Sequence, residues 1–405
     1  MKYRQTHVPT TVDNRRVWAE IDLAAIAHNY QVCADYIHAV KPDARAIAVI
    51  KADAYGHGAA ASVQALYDCG CRSFAVASLE EGIVLREALQ DGRDQPTEIL
   101  VLGYTDPHNS ALLAAYSLSQ TLISPEYAAL LHQNAQESGV KLTVHVKLDT
   151  GMHRIGYAAF TDEQAKAAVQ DILHLQQHCS AFDLRGLFTH LSDADCGNFC
   201  LEQWRRFCAV RDALGEQGAC PPACHVSNGP ASLRFPEMFL DGVRLGAPLY
   251  GVTPPMPDDI YRSPGCNLFP AGQLRPVMQL KTRIIHLHTA DAGEPIGYGA
   301  LCRTDHPRTI ATLSVGYADG WLRAYAGSEV TVHTDKGNFS VPLCGRICMD
   351  LCMADVTNIP CRVGDEVTLF GLSADSLCKL AAHAGTIAYE IPSLITARVP
   401  RYYKN

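Results

Sequence analysis

The sequence predicts an α/β protein: a (β/α)8 barrel followed by a mostly β C-terminal domain. Three observations carry that expectation. Eight short apolar runs alternate with helix-like stretches between Ala46 and Gly246. A proline-rich stretch follows, Thr253-Pro254-Pro255-Met256-Pro257 and then Ser263-Pro264-Gly265. Beyond it, short strand-like runs are separated by turn residues, with no long helical pattern until Ala374–His383.

The elements follow in order. A polar leader, Met1 to Asn14, precedes Trp18-Ala19-Glu20-Ile21. Asp22 is placed as a helix N-cap, and Leu23 to Ile37 has helical periodicity. The strand-like runs are Ala46–Lys51, Phe74–Ser78, Ile99–Gly103, Ser119–Ile123, Leu142–Asp149, Leu184–His190, Cys224–Ser227 and Gly242–Gly246. Helical patterns at Leu79–Leu89, Pro125–Ser138, Asp162–Gln177 and Leu201–Gln217 fill gaps between them. The expected barrel domain is 1–262, with residues 1–14 a leader open to joining the β domain. The expected C-terminal domain, 263–405, holds strands at Gln279–Leu287, Thr309–Val315, Glu329–His333, Phe339–Leu343 and Glu366–Phe370.

Parity within the strands fixes which side chains face inward. In Val144-His145-Val146-Lys147-Leu148-Asp149, apolar and polar residues alternate. Side chains of a strand alternate between faces. Val144, Val146 and Leu148 therefore pack under helices, and Lys147 and Asp149 point into the barrel. The same parity turns Arg244 inward between Val243 and Leu245.

Bulk properties exclude several classes. The chain has 405 residues, 48% of them apolar and 19% charged, which suits a large packed core rather than disorder. A net charge of −8 offers no general attraction for nucleic acid or an anionic membrane. No apolar run reaches transmembrane length and the start is not a signal peptide, so a soluble, cytoplasmic protein is expected. Sixteen cysteines raise the question of metal. Cys196/Cys200, Cys220/Cys224 and Cys344/Cys348/Cys352 sit four apart, not at the two-residue spacing of a zinc ribbon, and the last set is expected in a strand region. No metal site is expected; the thiols read as small buried hydrophobes.

The chemistry centres on Ala46-Ile47-Ala48-Val49-Ile50-Lys51-Ala52-Asp53-Ala54-Tyr55-Gly56-His57-Gly58. A buried strand ends on a lysine, whose pKa desolvation lowers, as a Schiff-base lysine requires. Two glycines then open a helix, where backbone N–H groups can meet a phosphate. Lysine and phosphate cradle at one strand end suit pyridoxal phosphate (PLP). The same residues also fit a solvated terminal lysine before an ordinary glycine turn. Position argues for function: Lys51, Lys147, Arg154, His190, Asn228 and Arg244 all fall at or just after the C-terminal ends of different strands, the face where barrel active sites form.

Lys51-Ala52-Asp53-Ala54-Tyr55-Gly56-His57-Gly58 closely resembles the PLP-lysine motif of bacterial alanine racemases. The likeness continues through Lys147-Leu148-Asp149-Thr150-Gly151-Met152-His153-Arg154, Thr189-His190, Ser232 to Pro236, Val243-Arg244-Leu245-Gly246 and Pro248-Leu249-Tyr250-Gly251. In the second domain it covers Gly297-Tyr298-Gly299-Ala300, Gly316 to Trp321, Gly345-Arg346-Ile347-Cys348-Met349-Asp350, Ala388 to Pro392 and Arg398 to Arg401. The resemblance implies a PLP-dependent racemase of alanine, a homodimer with shared active sites, and a role in D-alanine supply for the cell wall.

By that resemblance Lys51 condenses with the cofactor aldehyde and acts as one proton-transfer base; Tyr298, from the partner subunit, is the second. Inversion needs a base on each face of Cα, and both must be tuned down from high free pKa values. Arg244 is implied as partner of the pyridine nitrogen, donating without protonating it and so keeping the electron sink weak. His190 lies beside the ring, linked to Arg244. Tyr55, Gly246, Ala247 and Tyr389 resemble phosphate contacts, with Asn228 and Gly229 also on the cofactor. Arg154, Met349 and Tyr317 are implied for substrate, Arg154 through its carboxylate or the cofactor phenolic oxygen. Lys147 matches a lysine often carbamylated in the family, and Asp350 is a supporting residue. Asp195, Arg323, Arg346, Ile387 and Tyr317 match the substrate entrance. One departure stands out: Gly229 occupies a position that is usually serine, so a hydroxyl contact to phosphate is lost and weaker or rearranged phosphate binding is expected. A serine or broader-specificity racemase is the enzyme alternative, limited by Tyr389 over the substrate methyl; a barrel-fold PLP decarboxylase fits less well, since its motifs are absent. A non-catalytic PLP carrier is the alternative outside enzymes, and the second domain with Tyr298 argues against it.

Overall fold

The computed structural model describes residues 15–89, 97–195, 197–252, 271–373 and 375–404. The chain divides into two units, Leu23–Arg275 and a second made of the residues up to Asp22 together with Pro276 onward. The division differs from the sequence-based one at both ends. The described residues 271–275 belong to the first unit, and Arg15–Asp22 belong to the second. The proline-rich stretch expected as the junction lies outside the described residues.

Within the first unit, the eight expected strands form one parallel sheet. They are β2 (Arg45–Val49), β3 (Ser73–Val76), β4 (Glu98–Val101), β5 (Ser119–Leu122), β6 (Leu142–Asp149), β8 (Phe182–Phe188), β9 (Ala223–His225) and β10 (Gly242–Leu245). Their order is β10-β2-β3-β4-β5-β6-β8-β9, with the two-residue β7 (Tyr157–Ala158) beside β6. Backbone bonds from Asp241 N to Cys224 O (2.9 Å) and from Arg244 N to Ser227 O (3.0 Å) bring the two ends together and nearly close the barrel. Ile47, Val49, Ala75 and Leu100 pack as one apolar cluster across three adjacent strands.

Helices cover the sheet at Leu23–Val40, Ala59–Asp68, Leu79–Ala88, Pro125–Glu137, Asp162–His178 and Phe199–Glu216. Their starts are written locally. Ser78 caps one by accepting from Glu81 N, and Ser124 caps another whose first residue is Pro125. Thr161 and Gln164 form a reciprocal capping box.

The second unit opens with β1 (Val17–Asp22) and continues with β11 (Met278–Ala290). A short hairpin, β12 (Pro295–Ile296) and β13 (Cys302–Arg303), comes next. Then follow β14 (Arg308–Leu313), β15 (Glu329–Thr334), β16 (Gly337–Cys344), β17 (Cys352–Asp355), β18 (Glu366–Phe370) and β19 (Arg401–Lys404). The main sheet runs β14-β17-β16-β15-β18-β11-β1-β19, and β11 also pairs with β14. Six strands therefore close into a ring while β1 and β19 extend it. β11 can serve so many neighbours because its register shifts near Leu280 and again near Ile284, which re-aims the strand. Cys344 and Cys352 end and begin strands, but residues 345–351 between them are a loop, not the strand expected from sequence.

Candidate active site

The first unit gathers its functional side chains at the C-terminal ends of its strands. Lys51 follows β2, and the chain after it takes an unusual path. Ala52, Asp53, Ala54 and Tyr55 all have positive φ, between 52° and 58°, a left-handed helical turn without a single glycine. Such residues cost roughly 1–2 kcal/mol each, and persist only where surroundings hold them. Glu81 is one clamp: its two carboxylate oxygens accept the N–H groups of Ala52 and Ala77, each at 2.7 Å. Asp53 is another, accepting Ala59 N at 2.7 Å at the start of the next helix. The turn presents Tyr55, whose ring packs against Tyr250 at 4.9 Å. A Cβ added at Gly246 would lie 2.7 Å from Tyr55 Oη. The phenolic hydroxyl thus rests directly on the backbone that leads into Ala247.

Four cations share this face. Burial lowers the Lys51 pKa and the nearby Arg154 lowers it further, against a smaller upward pull from Glu81. Lys147 is drawn down to about 8 by burial and by Arg154 and Arg244. Arg244, 3% exposed, is itself lowered to about 9 by burial and Arg154. His190 is held neutral, pushed well below its usual range by burial and then by Arg244, Arg154, Lys147 and Lys51. So many positive groups in mutual range define a site built for anions. Asp149 offsets them only in part, pulling the Lys147 pKa upward, while its oxygens accept the N–H groups of Gly151, His153 and Arg154 at 2.9–3.1 Å and fold the loop that carries Arg154.

Arg244 is fixed by acceptors on three sides. It donates to His225 Nδ1 (2.7 Å), His225 O (2.8 Å), Thr189 O (2.8 Å) and Val226 O (2.9 Å). The ring bonded to Arg244 is therefore His225. His190, expected in that role, is linked through electrostatics and through the carbonyl of its neighbour Thr189. His225 is neutral because burial, and then Arg244, lower its pKa far below the usual range. Its Nε2 lies 3.2 Å from His145 Nδ1. His145 Nε2 is 2.9 Å from Glu98 Oε1, and against the upward pull of burial this contact helps hold the Glu98 carboxyl below its usual pKa. Arg45 reaches the other Glu98 oxygen at 2.7 Å.

At the end of β9, Asn228 caps the helix Gly229–Arg234 by accepting Ala231 N at 3.0 Å, and donates to Leu191 O at 3.3 Å. A Cβ at Gly229 would meet Pro248 Cδ at 3.1 Å, so the position is snug but not closed. Ser227, fully buried two residues beyond the end of β9, has a hydroxyl with no partner. Asp195 is half-buried in the loop after His190.

The second unit carries the remaining residues. Tyr298 begins a tight turn (Tyr298–Ala300) and is 67% exposed. A Cβ at Gly299 would lie 3.3 Å from Arg346 Nη1, so that guanidinium lies over the backbone beside Tyr298. Loop 345–351 is tied to the Tyr317–Asp319 turn by Tyr317 N to Cys348 O and Ala318 N to Met349 O, both 3.0 Å. Gly316 allows that approach, since a Cβ there would meet Met349 O at 2.3 Å. Asp350 accepts from Arg398 at 2.8 Å. Met349, Tyr317, Ile387 and Arg323 are exposed, and Tyr389 is half-buried just ahead of the turn Glu390–Ser393.

Sequence reasoning missed Glu81, His225, His145 and Ser227. The signal for the histidines was present: His145 shares the inward parity of Lys147, and His225 sits in a strand facing Arg244. No sequence signal marks Glu81. Among the described residues, no group of three or more His, Cys, Asp or Glu side chains is placed to hold a metal ion.

The first unit thus combines a barrel, a lysine at the end of β2, a cation cluster and the Tyr55 cradle, and the same chain carries a β-rich second unit. Residues 21–254 match the family model for the alanine racemase N-terminal domain, and residues 277–403 that for the C-terminal domain. The alanine racemase of Desulfovibrio desulfuricans is 38% identical over 401 residues, covering 96% of this chain and 98% of that one. The structure of alanine racemase from Clostridium difficile superposes with a TM-score of 0.83 at 34% identity, covering 96% of each chain. That of Bacillus anthracis alanine racemase with bound L-Ala-P gives 0.81 at 30% identity over 97% and 96% of the two chains. The chain belongs to the alanine racemase family, a family of isomerases.

Proposed function

We propose that the protein is a PLP-dependent alanine racemase that interconverts L- and D-alanine as a cytoplasmic homodimer, supplying D-alanine for the cell wall. The observation that carries this reading is the cluster of Lys51, Lys147, Arg154 and Arg244 around a neutral His190, a field suited to a phosphate and a carboxylate held together. The residues present fit the cofactor. The Tyr55 hydroxyl and the backbone of Gly246 and Ala247 form a cradle that a side chain at 246 would fill. Ser227 carries a buried hydroxyl without a partner two residues before Gly229, where the expected serine is missing.

When bound, PLP would supply the electron sink for the pair left at Cα on loss of the α-proton. The protein's own groups do the rest. Lys51, its pKa lowered by burial and Arg154, anchors the cofactor and moves the proton at Nζ on one face. Tyr298 of the partner subunit moves it at Oη on the other. Tyr55, Gly246, Ala247, Ser227 and the Gly229 N–H would hold the phosphate, and the family resemblance assigns Tyr389 to the same group. Arg244, pinned by four acceptors, donates to the pyridine nitrogen without giving up its proton. By the family resemblance, Arg154, the Met349 backbone and Tyr317 would serve the substrate, Arg346, Arg323, Asp195 and Ile387 its entrance, and Asp350 would be a supporting residue. Lys147, drawn down toward 8, offers more of the neutral amine that carbamylation requires than an ordinary lysine does, and the resulting negative charge would steady Arg154.

NMR in D2O on the PLP-loaded protein with L-alanine tests the reading, with a chiral assay of product and L-serine run in parallel. Exchange of the α-proton with D-alanine appearing, and slower serine turnover, is expected. Faster turnover of serine would move the assignment to a serine racemase. Retention of PLP without exchange would make the protein a cofactor carrier. Replacing Tyr298 with Phe abolishes most turnover in a two-base racemase and leaves a carrier unchanged.

A further inference from the structure

At the opposite end of the barrel from Lys51, the connection between the helix Phe199–Glu216 and β9 carries a pair of thiols. Cys220 Sγ and Cys224 Sγ are 3.7 Å apart, and both face Pro221 O, at 3.6 and 3.9 Å. Only Pro221, Pro222 and Ala223 separate them. Proline fixes φ at two of these three positions, which limits how far the short segment can let the sulfurs separate. We propose that Cys220 and Cys224 form a hydroperoxide-reactive dithiol, a modification site separate from the racemase centre that closes reversibly to an intrachain disulfide.

The two thiols are unequal, which fixes their roles. Cys224 is buried on β9, held by strand pairing with Leu187 and by its N–H bond to Asp241 at 2.8 Å. Cys220 is half-buried in the loop. The hydrogen bond between the sulfurs favours thiolate at Cys220 and thiol at Cys224; burial opposes ionisation of both. Arg211 further favours the Cys220 thiolate, while Asp241 and Asp212 oppose it. Cys220 is therefore the nucleophile and Cys224 the resolving thiol.

In the first step the Cys220 thiolate attacks one peroxide oxygen. An S–O bond forms, the O–O bond breaks, and water leaves after taking up the thiol proton. In the second, Cys224 sulfur attacks the sulfenic sulfur; an S–S bond forms, the S–O bond breaks, and a second water departs. Two electrons pass from the sulfur pair to one peroxide. The sulfurs must approach by about 1.7 Å to reach bonding distance. Because β9 is pinned to β8, that movement falls on the Cys220 loop.

The test uses the wild-type holoenzyme treated with hydrogen peroxide, alkylated without reductant and digested with trypsin. Peptide Asp212–Arg234 holds Cys220 and Cys224 and no other cysteine. It is expected about 2 Da lighter than the reduced peptide, with neither cysteine alkylated, and to regain two alkylation sites after dithiothreitol. In Cys224→Ser, dimedone is expected to trap Cys220; in Cys220→Ser, Cys224 should stay alkylatable. A wild-type peptide carrying two alkyl groups, at a peroxide dose that oxidises free cysteine in the same tube, overturns the proposal. So does equal dimedone labelling of the two variants, since neither thiol would then be privileged.

Discussion

The Tyr55–Gly246 contact lends itself to a sharp test through Gly246→Ala. The new methyl would sit 2.7 Å from Tyr55 Oη and 3.4 Å from Cζ. The second distance is ordinary packing; the first is about 0.7 Å too short, so the clash is with the hydroxyl alone. Tyr55 cannot simply retreat, because its ring is packed on Tyr250, which is anchored through Oη to Val49 O at 3.0 Å. The hydroxyl must leave the cradle. Overpacking of this kind costs about 1–3 kcal/mol in folding stability. A hydroxyl bond to a charged phosphate is worth about 1.5–3 kcal/mol, which is roughly a 10- to 150-fold weaker Kd for PLP. Titrating apo-protein with PLP and following the cofactor's absorbance gives that number directly. The double variant Tyr55→Phe/Gly246→Ala separates clash from chemistry. Without the hydroxyl the methyl fits, so Gly246→Ala should then add almost nothing to the effect of Tyr55→Phe. Strict additivity of the two changes would refute the steric argument, and unchanged PLP affinity in Gly246→Ala would refute the cradle.

Four further outcomes follow from contacts described above. Ser227→Ala should weaken PLP binding about 10- to 150-fold while leaving the melting temperature of the apo-protein unchanged, because the hydroxyl it removes has no partner within the protein; calorimetry and PLP titration separate the two effects. Glu81→Ala should lower stability by about 2–3 kcal/mol in urea unfolding, since two charge-assisted bonds that hold the left-handed turn are lost. His225→Asn, which keeps an acceptor near the position of Nδ1, should be tolerated, whereas His225→Phe should cost about 2–4 kcal/mol by leaving a buried guanidinium N–H without its acceptor. For Lys147 the lowered pKa means that the folded state disfavours the ammonium. Its penalty is fully present below pH about 8 and fades as pH rises to the ordinary value of 10.5, so stability climbs across that window. In CO2-free buffer Lys147→Met should therefore stabilise the protein by about 3 kcal/mol at pH 7, and by almost nothing above pH 10.5; melting curves across pH read this out.

The barrel was legible because each strand is a short apolar run bounded by polar or turn residues, and because each helix starts with its own cap, as at Ser78, Ser124 and Thr161. Three strands of the second unit's main sheet were not. Val17–Asp22 reads as a lead-in to the helix that begins at Leu23, and nothing local says that it pairs with residues more than two hundred and fifty positions away. Cys352–Asp355 and Arg401–Lys404 are too short to show a period. The positions of Lys51, Lys147, Arg154, His190 and Arg244 followed from strand ends and parity. Their supports did not, because Glu81 acts from a neighbouring connection and His225 acts through Arg244. The left-handed turn was invisible: Ala52-Asp53-Ala54-Tyr55 contains no glycine, and the Glu81 and Asp53 side-chain bonds hold the conformation together with the turn's own backbone bonds.

The position of β1 has a consequence for how the molecule is made. β1 lies between β11, antiparallel to it, and β19, parallel to it. In synthesis, Val17–Asp22 leave the ribosome early, yet their hydrogen-bonding neighbours on both edges come after the whole of Leu23–Arg275. The barrel is therefore an insertion within the other unit's sheet, able to condense from its own consecutive βα segments while β1 waits. β1 contains Val17, Trp18, Ala19 and Ile21, all buried once paired. Until residues 401–404 arrive, that apolar strand has an unfilled edge, the feature by which nascent chains recruit one another. The last few codons of the described chain thus close the seam that its first strand opened.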